Sequence, residues 1–218
     1  MSGRTQRTHS PVNFQSQNSI AVLSFDAEDR HPRLNTGTLV ELAARLDEIR
    51  ASDLFHGVVI NSSNFSFATG AEIEEIIQIH GLAARRFAER GQNLMNTIAR
   101  FPVPVIAAIR GFCLGGGFDL ALACHGRVAT FDSSFGHPGG SLGLITGWGG
   151  TQRLPIKLGK SAALQILLTG ERIPATQAVT MGLVDELVPS QDLTAHAVAL
   201  AQLRATQRQR GMAEAIPF

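Results

Sequence analysis

Charge, cysteine and long apolar runs are all in short supply in this sequence, and each shortage removes a class of protein. Only 17% of the residues are charged, and 19 basic residues against 18 acidic ones leave a net of +1. Nucleic-acid binding normally shows as a strongly basic domain or face, so no nucleic-acid partner is expected, although a local anion site stays open. No apolar run reaches the roughly 18–20 residues that a transmembrane helix needs, so no membrane span is expected. The two cysteines, Cys113 and Cys124, lie in apolar stretches, and the polar N-terminal segment does not resemble a secretory signal. A reducing, cytoplasmic location is the resulting expectation.

What the chain does have is glycine and alternating structure. Its 22 glycines point to tight turns and close backbone approaches. Short apolar runs at 19–25, 57–60, 104–109 and 127–131 read as strands covered on both faces. Between them lie helical patterns, at 36–50 with Leu39, Leu42, Ala43 and Leu46 on one face, and over 71–100, where Gly81 and Gly91 can break or bend the helix. Further helices are expected at 161–168, 175–181 and from about 192 towards 209. Strands alternating with helices indicate an α/β fold. With no internal repeat or low-complexity linker, the economical division is a loose tail over 1–17 and one domain over 18–218.

Three glycine-bearing segments carry the candidate chemistry. Phe67-Ala68-Thr69-Gly70-Ala71-Glu72 runs straight into a helix; Gly115-Gly116-Gly117 follows the 105–109 strand and opens another; the third runs from Phe135-Gly136-His137-Pro138-Gly139 on to Gly147-Trp148-Gly149-Gly150. Glycines at a helix start leave backbone N–H groups bare, with the helix dipole adding partial positive charge there. Two such groups converging from separate loops form an oxyanion hole, a donor pair that stabilises charge developing on a carbonyl oxygen. Taken alone, the glycine run fits simple strand-to-helix packing equally well. It lacks the endings and spacings of a phosphate cradle.

Order and spacing narrow the choice. PVIAAIRGFCLGGGFDLALACHGRVAT (104–130), FATGAEIEE (67–75), GWGGTQRLP (147–155) and LLTGERIPATQAVTMGLVDELVP (167–189) resemble, in order, the segments that mark the crotonase (enoyl-CoA hydratase/isomerase) superfamily. The resemblance runs from about residue 19 to 200. It implies a β-β-α spiral with two roughly perpendicular sheets surrounded by helices, acting on coenzyme A thioesters with no tightly bound cofactor and no metal. The activity implied is of hydratase/isomerase type, with an acyl-CoA decarboxylase or a non-catalytic coenzyme A-binding protein on the same fold as the alternatives. The resemblance also implies a homotrimer or hexamer, and a carbonyl held by the N–H groups of Ala71 and Gly116. Asp119 matches the position of the first catalytic acid; as a plain alternative, it is a first-turn acid favouring the helix dipole.

The second acid of family hydratases would fall at Gly139, which has no side chain to offer. His137, two positions earlier, is the candidate substitute, or else a structural histidine. Glu72 is expected to orient its loop. Arg33 and Asn35, with the backbone of Phe67, Ala68 and Ala71, match the family's coenzyme A region, and Arg33 can pair with a phosphate. Trp148 stands where the family has a small residue, so it either reshapes the acyl pocket or packs in the core. Family members commonly continue beyond the position of Phe218, so a shortened C-terminal helical region is expected.

Overall fold

The computed structural model describes residues 11–26 and 31–214. Strand β1 (Val12–Gln17) pairs antiparallel with β2 (Ile20–Phe25), and helix α1 (Thr36–Arg50) leads on to β3 (Gly57–Ser62). Helices α2 (Ile73–Gln78) and α3 (Gly81–Ala99) precede β4 (Val105–Ile109), β5 (Phe112–Leu114) and α4 (Gly116–Ala123). Then come β6 (Gly126–Thr130), β7 (Ser134–Gly136), a 3-10 turn over Pro138–Leu142, α5 (Gly150–Leu158) and α6 (Lys160–Thr169). The chain continues through β8 (Ile173–Pro174), α7 (Ala175–Thr180), β9 (Glu186–Val188) and α8 (Leu193–Glu214).

The strands form two sheets, one ordered β1-β2-β3-β4-β6-β9 and a smaller one ordered β5-β7-β8. Two successive turns of the spiral place one strand in the large sheet, the next in the small sheet, and then a helix: β4, β5, α4, followed by β6, β7 and the α5–α6 pair. From β2 to β9 the large sheet is parallel, and its central strands β4 and β6 are buried at every residue. That burial explains why they read as continuous apolar runs and do not alternate.

The two-sheet α/β architecture expected from the sequence is present. The assignment of 12–17 to a loose tail is corrected: these residues are strand β1. Asn18 and Ser19 both adopt left-handed φ, 51° and 60°, and this two-residue turn suits a tight hairpin. Only Val12 of β1 is buried, so the strand lies at a sheet edge and carries no apolar alternation to read. The part of that tail over 1–10 lies outside the described residues. Within 71–100 the helix breaks at Ile79 and His80, which are extended, while Gly91 lies buried inside an unbroken α3.

Candidate active site

The site is assembled where the 67–71 loop, the start of α4 and the 137–150 segment meet. Gly115 has φ +52°, a left-handed turn that lets β5 swing into α4, and its N–H donates to Gly136 O at 2.9 Å. The 67–71 loop is stitched alongside: Leu114 N–H donates to Ala68 O (2.9 Å), and Leu34 N–H donates to Gly70 O (2.8 Å). A Cβ added to Gly70 would lie only 3.7 Å from Gly116 N, so the two backbones nearly touch. Gly116 is the first residue of α4, where a backbone N–H has no intrahelical acceptor.

Ala71 and Gly116 line one cavity of about 500 Å³, together with Asp119, His137 and Trp148. The walls are otherwise mainly apolar, with Ile73, Ile76 and Phe87 on one side and Leu142, Leu144 and Ile145 on the other. None of the residues of α2 is buried: Ile73 and Ile76 line this cavity, and Ile77 is exposed. Asp119 is the only carboxylate among the described lining residues, and no Lys or Arg joins it.

Asp119 is 1% exposed. Its Oδ2 accepts from the Thr146 hydroxyl and from the Trp148 N–H at 3.3 Å. Its Oδ1 has no hydrogen-bond partner among the described residues and lies 3.5 Å from His137 Nε2. Burial raises the Asp119 carboxyl to about 6, against the opposing pull of the Thr146 and Trp148 hydrogen bonds. His137 is buried beside the Phe118 ring, 5.0 Å between centroids, and both its ring nitrogens lack a hydrogen-bond partner among the described residues. Burial lowers its imidazole to about 4. At neutral pH the pair is therefore a carboxylate beside a neutral imidazole.

Gly150 closes a further side. A Cβ there would come 2.3 Å from Asp119 Oδ1 and 2.7 Å from His137 Nε2, so no other residue leaves the pair intact. The sequence gives no role to Thr146 or Gly150; the one available signal is a hydroxyl residue and a third glycine inside the LITGWGG stretch. Gly139 lines the cavity beside Pro138 and offers no functional group where the second acid is expected.

The expected coenzyme A residues are placed unevenly. Only Ala71 among them lines the cavity. Phe67 is fully buried, its ring edge-on to Phe25 at 5.9 Å, and its N–H donates to Arg110 O at 2.8 Å. Ala68 has both its backbone groups paired, with Phe112 O and Leu114 N–H. Asn35 caps α1, its Oδ1 accepting from Thr38 N–H at 2.9 Å. Arg33, half-exposed, lies 3.6 Å from Glu72, an ion pair that ties the 33–35 segment to the loop. Among the described residues, no group of three or more His, Cys, Asp or Glu side chains is placed to hold a metal ion.

A fold of two sheets wound by helices, carrying a backbone-lined pocket with one buried acid, defines a class of protein before any comparison is made. The family model described as enoyl-CoA hydratase/isomerase matches residues 15–215. An enoyl-CoA hydratase from Bacillus anthracis is 31% identical, with a TM-score of 0.85 over 89% of this chain and 76% of that one. DspI of Pseudomonas aeruginosa is 25% identical, with a TM-score of 0.85 over 93% of this chain and 78% of that one. An enoyl-CoA hydratase/isomerase from Xanthobacter autotrophicus Py2 is 26% identical, with a TM-score of 0.83 over 95% and 84%. The chain belongs to the enoyl-CoA hydratase/isomerase family.

Proposed function

We propose that this protein moves a single proton on an enolisable acyl-CoA thioester, the chemistry of double-bond isomerisation, with Asp119 as the acid–base group. The observation that carries this reading is the lone carboxylate: Asp119 Oδ1 is buried, unpaired and inside an apolar cavity, while Gly139 is bare. The thioester oxygen accepts from the N–H groups of Ala71 and Gly116. These donors strengthen as charge moves onto oxygen, an effect typically worth about 3–4 kcal/mol per donor. Asp119 then takes a proton from C2 of a 3-enoyl thioester. The electron pair of that C–H bond enters the thioester as a dienolate. Asp119 returns the proton at C4, and the double bond shifts to C2–C3.

A carboxyl raised to about 6 suits this task, because it accepts a proton from a weak carbon acid and releases it near neutral pH. Neutral His137, 3.5 Å from Oδ1, adds no charge that would pull the carboxyl back down. Hydration requires one group to activate water and another to deliver a proton at carbon. Among the described lining residues His137 is the only side chain besides Asp119 that titrates, so hydration here has to route through it. Decarboxylation calls for a group to seat the departing carboxylate, and no Lys or Arg is among the described lining residues. The same family reading carries the proposals of coenzyme A binding around Arg33 and Asn35 and of a homotrimer or hexamer.

The test is turnover of a 3-enoyl-CoA, crotonyl-CoA and methylmalonyl-CoA by the purified protein and by Asp119→Asn. The expected result is isomerisation of the 3-enoyl thioester, reduced about 10²–10⁴-fold in the variant with thioester affinity kept, because the carbonyl donors are main-chain. Wild-type turnover of the 3-enoyl substrate by Asp119→Asn would falsify the assignment.

A further inference from the structure

We propose that Trp148 forms the end wall of the acyl pocket and sets the longest acyl chain the site accepts; this rests on the thioester reading above. The indole is 4% exposed and wedged between two helices at positions where both have glycine. On the α4 side, a Cβ added to Gly116 would lie 2.4 Å from Trp148 Cζ3. On the α3 side, a Cβ added to Gly91 would lie 2.2 Å from Trp148 Nε1. The ring therefore fills a slot that a side chain on either helix would abolish. Phe87, also in the cavity wall, packs against it with 5.4 Å between ring centroids.

Its backbone is clamped. The Trp148 N–H donates to Asp119 Oδ2 (3.3 Å), Arg153 Nη1 donates to Trp148 O (3.1 Å), and Gln92 Nε2 donates to the preceding Gly147 O (2.8 Å). Ring and main chain are thus held from both ends, and a substrate chain cannot push the indole aside without dragging the loop that orients Asp119. A thioester whose oxygen sits at Gly116 N–H meets the indole at once, because the ring rests against that residue. The route between α3 and α4 is shut, and chain growth is limited to the existing apolar cavity.

The experiment is a series of saturated straight-chain acyl-CoA thioesters, from butanoyl to tetradecanoyl, titrated into wild type, Trp148→Ala and Trp148→Phe. Binding is read by calorimetry for all three, and for the wild type also by its own emission, since Trp148 is the only tryptophan. In the wild type, affinity should climb about fourfold per added methylene and then stop rising at a defined length. Trp148→Ala should move that stopping point to longer chains, gaining on the order of tenfold or more beyond the wild-type limit. Trp148→Phe, which keeps a smaller ring in the slot and is the safer variant for folding, should move it by less. An unchanged stopping point in a folded variant of either kind overturns the proposal while leaving the thioester reading intact. If the wild type binds none of the thioesters, it is that reading which fails.

Discussion

At Asp119 and His137, burial acts in opposite directions on two groups 3.5 Å apart. Asp119 rises from its ordinary 3.8 to about 6, and His137 falls from 6.5 to about 4. A raised acid stabilises the fold below its unfolded value and loses that contribution as pH climbs through about 6. A lowered histidine does the reverse, contributing above 6.5 and losing it as pH falls through about 4. Between pH 4 and 6 the folded pair holds one proton on Asp119, and the unfolded chain holds one on His137. The two slopes cancel, so the pair makes unfolding free energy nearly flat with pH there. Single variants should expose each half. Asp119→Asn should gain stability with rising pH across 4–6, and His137→Ala should lose it, each on the order of 1.4 kcal/mol per pH unit. Urea denaturation at several pH values measures this, and parallel curves for wild type and both variants would contradict the assignment.

Gly139 belongs to the same scale. Its φ is not left-handed, and an added Cβ would meet Leu144 O at 3.2 Å and Leu144 Cβ at 3.4 Å, contacts that a small shift of the loop relieves. Gly139→Glu should therefore fold and supply the carboxylate that water addition lacks. The expected outcome is a gain in crotonyl-CoA hydration over wild type, followed as loss of thioester absorbance. Folded protein with no gain means that the added carboxylate does not reach the reacting carbon.

At the scale of elements, α4 presents its N-terminus to the site and must be anchored at its other end. Arg127 on β6 does this from a position 1% exposed: Nη1 donates to Ala121 O (3.0 Å) and Cys124 O (2.8 Å), and Nε donates to Leu183 O (2.6 Å). Asp185, 3.8 Å from Nη2, balances the buried charge and also accepts from the Arg127 N–H at 2.7 Å. One guanidinium thus satisfies the last carbonyls of α4 and links them to the segment entering β9. Arg127→Met keeps the volume and strands those carbonyls, at a cost of roughly 3 kcal/mol. Equilibrium unfolding in urea reads this directly. A loss under about 0.5 kcal/mol would show that solvent reaches the carbonyls instead.

At the scale of the whole molecule, large apolar side chains remain uncovered beyond the two sheets. Ile156 on α5 is 84% exposed, Leu168 on α6 is 76% exposed, and Ile145 at the cavity mouth is 72% exposed. Isolated apolar residues on a surface are ordinary, but several along neighbouring segments favour burial against another surface. With closed symmetry the usual outcome for soluble assemblies, a trimer or hexamer is expected from light scattering at micromolar concentration. A stable monomer under those conditions would count against it.

Local chemistry was readable from residue order alone wherever one segment carries the whole signal. The alternation of α and β, the buried parallel strands, the apolar face of α1, and the three glycine-bearing segments with Asp119 just after the second are properties of contiguous stretches. The cap of α1 is not, because the sequence offers Thr36 or Thr38 and the structure uses Asn35. Strand β1 was not readable, because an edge strand with one buried residue has no periodicity. The same holds for β5, β7 and β8, each of three residues or fewer and set by pairing with distant strands. His137 and Asp119 are 18 positions apart, and nothing in their spacing shows that their side chains meet; the spiral brings them together when β7 docks beside β5. Whether Trp148 served the pocket or the core was open for the same reason. Only the packing of α3 against α4, with a glycine on each, places it both in the cavity wall and in the core, because the space a side chain occupies is decided by what other elements leave empty.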